Sequence, residues 1–162
     1  MIFTPHVIIG AVIGAKTHNL GLIIILGIFS HAILDHLPHW DYTNNGIRNF
    51  YETKDFKALF IDLFRIALDG LLALVIILVI IFKNGLFDSD YIIFIILGIF
   101  FSILPDILLF TAVIFRGKFG QHLIDFHQKF LHTKKEKEGK ITFLNISTEI
   151  LVIIISIIIL FS

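Results

Sequence analysis

Apolar residues in this chain come in uninterrupted runs, neither confined to one helical face nor alternating with polar ones. Three runs, Ala58 to Phe82, Tyr91 to Phe115 and Ile141 to Phe161, match or exceed the roughly 20 residues that cross a hydrocarbon core as a helix. A helix apolar on every side belongs in lipid or among other membrane helices, so these runs predict three long transmembrane helices. The N-terminal region differs. Val7 to Ala15 and Leu20 to Leu37 are separated only by Lys16-Thr17-His18-Asn19, which predicts a tight helical hairpin whose first arm is too short to span alone. Thr4-Pro5 offers a helix opening, threonine as cap and proline at the first helical position, and puts His6 in the first turn. A polar connection with an Asn-Asn-Gly turn joins Asp41 to Lys57. From Phe119 to Leu131, residues Phe119, Leu123, Phe126 and Phe130 form one apolar stripe, with Lys118, Gln121, Asp125 and Lys129 elsewhere. That predicts an amphipathic helix lying on the membrane surface, drawn to anionic lipid. The expected fold is an all-α integral membrane bundle over residues 1–162, built as a short hairpin, three spans and one interfacial helix.

Composition agrees: 57% of residues are hydrophobic and 16% charged, at a mean hydropathy of +0.93, more apolar surface than a soluble core of this size uses. The start Met1 to Gly10 lacks the charged opening and small-residue cleavage site of a secretory signal, so it is read as part of the fold. With no cysteine, disulfides and thiolate chemistry are excluded, and any metal must be held by nitrogen and oxygen. Thirteen basic residues balance 13 acidic ones, which gives no reason to expect a nucleic-acid partner; the partners expected are membrane lipids. Placement is more informative than the sum. The 116–140 connection carries Arg116, Lys118, Lys129, Lys134, Lys135, Lys137 and Lys140, whereas Lys83 to Asp90 carries one lysine and two aspartates. The basic connection is therefore expected on the cytoplasmic side of the plasma (inner) membrane, together with Arg48, Lys54 and Lys57. An internal echo pairs LGIFSHAILD, Leu26 to Asp35, with LGIFFSILPD, Leu97 to Asp106. It reads either as a parallel duplication of helix pairs 5–37 and 58–115 or as chance similarity in a low-complexity background.

Ionisable residues interrupt the apolar runs on one side only. His6 opens the first arm and Asp35 closes the second; Asp62, Arg65 and Asp69 lie early in the first long span, Asp106 late in the next, and Glu149 early in the last. At about 1.5 Å per residue, each is within roughly 10 to 18 Å of its segment's cytoplasmic end. Charges in lipid cost at least a few kcal/mol each unless they find partners inside the bundle, so one shared polar cavity open to the cytoplasmic leaflet is expected. Its chemistry is suggested by Ser30 to Asp41, SHAILDHLPHWD. His31 and Asp35 share a helical face, and an imidazole with a carboxylate one turn on offers two ligands to zinc or a similar metal. His36, His39, Asp41 and Asp106, with His122, His127 or His132, would bring further donors to the same depth. Other readings stand beside this one. Arg65 would neutralise Asp62 and Asp69 as a structural triad, His39-Trp40 would be an interfacial belt, and His18 and His36 would be solvated.

Thr4-Pro5-His6 followed by GAVIGA, a glycine-led helix ending in SHxxxD at Ser30 to Asp35, a second ending in LPD at Leu104 to Asp106, and a later FHQKFLH together resemble the membrane-bound metal-dependent hydrolase family, distantly similar to zinc-dependent phospholipase C proteins. The resemblance runs from Thr4 to His132. It implies a helical bundle that holds one or more divalent metals and acts on a phosphoester or a lipid. By it, His6 matches the family's early histidine, His31 and Asp35 the His-x-x-x-Asp pair, Asp106 the Pro-Asp aspartate, and His127 or His132 the remaining histidine. Two departures stand out: the His-x-x-x-Asp element precedes the Pro-Asp element, and a His-Arg-Gly-x-Thr-His element is missing.

The function expected is thus a metal-dependent hydrolase at the inner leaflet. A divalent ion, zinc or else manganese or magnesium, would be held by His6, His31, Asp35, Asp106 and His127, with Asp69 as base or second-metal ligand and His39 as a further catalytic group. Basic residues at the mouth would attract an anionic phospholipid or another phosphorylated substrate. The alternative is a non-enzymatic metal-binding or ion- and proton-conducting module. A conducting route should reach the far side, and the outer halves of the three spans carry no ionisable residue.

Overall fold

The computed structural model describes residues 2–85, 88–115, 117, 120–125 and 142–161. Its helices are α1 (Phe3–Thr17), α2 (Leu20–His36), α3 (Asn45–Thr53), α4 (Phe56–Asn84), α5 (Ser89–Phe115) and α6 (Phe143–Phe161), with a further helical stretch at 120–125 and no strand among the described residues. Three of them, over Phe56–Lys83, Ser89–Ile114 and Phe143–Phe161, are long and apolar enough to cross a membrane. The chain is an all-α membrane bundle. Large side chains such as Phe60, Leu72, Val75, Phe82 and Ile96 face outward, as lipid-facing helices require. Only residues 120–125 of the expected interfacial helix are described, and there His122 is exposed; His127 and His132 lie outside the described residues.

The short helix α1 occupies the centre. It packs against α2, α4, α5 and α6, and its Val7, Ile8, Ala11 and Ala15 join Ala73, Ile77, Ile80 and Ile81 of α4, Ile95 of α5 and Leu160 of α6 in one core. Small residues make this position attainable. A Cβ on Gly10 would lie 2.6 Å from the Gly98 carbonyl oxygen and 2.8 Å from Ile99 Cα, and Gly14 faces Phe94 and Ile95 in the same way. Lipid tails give helices no hydrophobic reason to associate, so such backbone-to-backbone packing is what holds them. Because Gly10 meets 98–99 and Gly14 meets 94–95, α1 and α5 run antiparallel. By the same test α2 and α5 run parallel, since Gly27 abuts Phe101 and Ser102 while His31, one turn on, approaches Ser102 and Asp106. The two echoing segments therefore lie side by side.

Two local expectations are corrected. The connection from Asp41 to Lys57 is not only a polar link: it folds into α3, because Asp62 of α4 accepts the Gly46 N–H at 2.7 Å and the Ile47 N–H at 3.2 Å, satisfying two orphan donors of its first turn. Thr4 is not the cap of α1 either. The helix begins at Phe3 with Ile2 in the cap position, and Thr4 lies within the first turn, bonded to Asp69.

Candidate metal centre

Four side chains from three helices converge where α1 starts: His6 from α1, His31 and Asp35 from α2, and Asp106 from α5. His6 Nε2 lies 3.2 Å from Asp35 Oδ1, and His31 Nε2 lies 3.1 Å from Asp35 Oδ2 and 3.7 Å from Asp106 Oδ1. The two imidazoles stack with centroids 4.4 Å apart. Both histidine side chains are fully buried and Asp35 is 2% exposed, but Asp106 is 34% exposed, so the cluster is most open on its Asp106 side. One ligand atom from each of His6, His31 and Asp106 falls within 4.8 Å of the other two, close enough for a single ion to touch all three.

The sequence builds this arrangement by simple means. A spacing of four puts His31 and Asp35 on one face of α2. Packing of Gly10 against Gly98 brings α1 close enough to α5 for His6 to reach the same point. On α5, Pro105 has no N–H to give the Phe101 carbonyl and its ring crowds that carbonyl, loosening the turn. In that turn the Ser102 carbonyl takes the His31 Nδ1 hydrogen at 2.9 Å.

That bond fixes the tautomer. A carbonyl only accepts, so Nδ1 carries the proton and the Nε2 lone pair of a neutral His31 points at two carboxylates, which also only accept. Acceptor against acceptor persists when a proton or a cation stands between them. His6 adds an orphan: its Nδ1 is buried with no hydrogen-bond partner among the described residues, a costly condition for a polar atom in an apolar interior. The types of donor suit a divalent ion, with His6, His31 and Asp106 near enough to share one and Asp35 beside both imidazoles. Two neutral imidazoles and two carboxylates leave no net charge around a dication, they are the nitrogen and oxygen ligands that zinc accepts, and His31 has the carbonyl partner that metal-bound histidines usually have.

The remaining candidates are placed elsewhere. Asp69, halfway along α4, accepts from Thr4 and Tyr42 and is not one of the four. α2 ends at His36, so the face shared by His31 and Asp35 does not continue to His39; that ring is half-buried and donates from Nδ1 to the Leu37 carbonyl at 2.7 Å. Burial holds its imidazole below the usual pKa. Asp41 lies within electrostatic reach of both Asp106 and His39. His36 and His18 are exposed, His18 against the rings of Tyr91 and Phe94.

The structural triad around Arg65 does not form: Arg65 lies 3.6 Å from Asp62, while Asp69 turns to Thr4. Of the intramembrane charges expected to share one cavity, four form the cluster, while Asp62, Asp69 and Glu149 also hold backbone; Asp69 and Glu149 stay within electrostatic reach of each other, and Glu149 of Asp41, which in turn reaches Asp106. Asp62, Asp69 and Glu149, each on a long span, accept backbone N–H groups of non-spanning segments, from Gly46 and Ile47, from Thr4 and from Trp40 respectively. Ser102 and Tyr42 were not foreseen. Ser102 could have been found as the partner of His31 in the internal echo, but nothing local marks Tyr42.

Comparison with known proteins returns no match, whether to a family model, a curated protein or a solved structure. What this centre can do must be argued from its geometry.

Proposed function

We propose that His6, His31, Asp35 and Asp106 hold a divalent metal ion, zinc by preference and manganese or magnesium otherwise, and that the protein is a metal-dependent hydrolase acting on a phosphoester or a phospholipid headgroup at the cytoplasmic leaflet of the plasma membrane. The reading rests on one observation above all: a buried His31 Nε2, its tautomer set by Ser102, faces the oxygens of Asp35 and Asp106 across distances of 3.1 and 3.7 Å. A bound divalent ion lowers the pKa of a water it holds and polarises a phosphoryl oxygen. The chain's own residues do the rest. Asp35 lies against both imidazoles, Asp106 stands at the more open edge where substrate would arrive, and His39, whose Nδ1 donates to the Leu37 carbonyl, would present Nε2 as its proton-accepting atom. Arg48, Lys54, Lys57 and the basic residues of 116–140 would draw an anionic headgroup to that side.

Metal analysis of the purified protein is the first test. One or two tightly held ions per chain, lost in His31→Ala and Asp106→Ala, are expected. Unchanged metal content in both variants, with folding indifferent to chelation, would reduce the cluster to a packing device. Labelled phospholipids then separate the two metal-binding readings: release of phosphate or diacylglycerol marks the hydrolase, and bound metal without release marks a non-enzymatic module.

A further inference from the structure

We infer that Asp69 is a positioning residue for this centre: by capping α1 from α4, it sets the height at which His6 meets His31, Asp35 and Asp106. The inference rests on the metal-binding reading, and gives Asp69 a task other than base or second-metal ligand.

Helix α1 starts in the interior without a cap of its own. Ile2, in the cap position, makes no side-chain hydrogen bond, and the first turn contains no acidic residue. Its orphan N–H groups need an acceptor, and Asp69 provides one from another helix. The Thr4 N–H donates to Oδ2 at 3.0 Å, and the Thr4 hydroxyl donates to Oδ1 at 2.5 Å with the Asp69 carbonyl oxygen 3.0 Å away. The Tyr42 phenol also hydrogen-bonds this carboxylate; burial, reinforced by Asp69, pushes the phenol above its usual pKa, so it stays a donor. A negative charge here also faces the positive end of the α1 dipole. The next residue of α4, Gly70, leaves room for the Phe3 ring, whose Cδ1 would lie 3.3 Å from a Cβ placed there.

Both ends of α1 are therefore specified, by different means. Gly10 and Gly14 fix how near α1 comes to α5, by meeting Gly98 and the backbone of Phe94, Ile95 and Ile99. The Asp69 bonds to Thr4 oppose a slide of α1 along its axis. His6 is two residues beyond Thr4, and a slip of one residue, about 1.5 Å, would carry its Nε2 well beyond the roughly 0.2 Å tolerance of a metal–ligand bond. With both carboxylate oxygens turned to the start of α1, Asp69 acts on the centre through His6 rather than by touching it.

A double-mutant cycle on zinc affinity tests this, using the full chain in detergent and competition with a chromogenic chelator. Asp69→Ala is expected to weaken zinc binding about ten- to a hundred-fold, the usual range for a residue that supports a ligand. In a His6→Ala background the same change is expected to add nothing. Asp69→Asn keeps an amide oxygen for the Thr4 N–H and is expected to restore most of the affinity, with the Co²⁺ absorption spectrum of the native ligand set. Asp69→Ala losses that multiply fully with those of His6→Ala would make Asp69 an independent ligand and overturn the inference, as would an Asp69→Ala protein of unchanged affinity. If Asp69→Ala does not fold, Thr4→Val decides: a smaller loss that vanishes without His6 supports the inference, and no loss overturns it. A wild-type protein that binds no zinc overturns the metal reading itself, an outcome distinct from wild-type binding that is indifferent to Asp69.

Discussion

Pro105 illustrates how one side chain can act on another helix. By withholding an N–H from the Phe101 carbonyl it loosens the turn whose Ser102 carbonyl holds His31 at 2.9 Å. Pro105→Ala is expected to tighten that turn and weaken zinc binding about tenfold while leaving the bundle folded, which chelator competition and circular dichroism would check together. Tyr42 gives a pH signature. Burial and the Asp69 carboxylate favour its neutral form in the folded protein, so its contribution is complete below the unfolded phenol's pKa of about 10 and declines as pH rises above it. Melting temperature is expected to fall above about pH 10, and less steeply in Tyr42→Phe. At this scale the sequence is half legible. His31, Asp35, Asp106 and His6 can be picked out by spacing and by the Pro-Asp echo. The roles of Asp62, Asp69 and Glu149 cannot, because a carboxylate reads the same whether it faces a metal or caps a backbone 16, 65 or 109 residues away.

Helices were easier to foresee than their partners. The three spans follow from apolar composition alone, and their ends moved by only a residue or two, for local reasons. Asp55 caps α4 by accepting from Lys57 and Ala58, and Gly85 closes it in the left-handed conformation. Helix α3 was hidden because its cap comes from α4 and its own Asn44 makes no capping bond. The antiparallel fit of α1 on α5 depends on Gly10, Gly14 and Gly98 facing one another, a match that neither helix displays by itself. Adding atoms there forces the backbones apart. Gly10→Val is expected to destabilise the bundle by roughly 1–3 kcal/mol and to reduce metal affinity in parallel, read from thermal unfolding and metal content of the same preparation.

Taken whole, the molecule is asymmetric in depth: the charged residues inside the long spans, Asp62, Arg65, Asp69, Asp106 and Glu149, lie in one half, and the other half carries charge only at its ends, on Lys83 and Asp90. A reporter placed in the Lys83 to Asp90 connection is expected to be reached by impermeant reagents from outside intact cells, and one placed in 116–140 only after the membrane is opened; the reverse pattern would invert the proposed orientation. Helix α1 has 15 residues, about 22 Å of length, and is ringed by α2, α4, α5 and α6. Every element that encloses it is synthesised after it. While the ribosome is still working, Thr4 has no Asp69 and Gly10 has no Gly98, and a segment this short has little hold on the bilayer unaided. Of the bundle's helices, the one translated earliest thus waits for partners made later, and the four side chains of the proposed cation site all exist only once translation has passed Asp106 of α5.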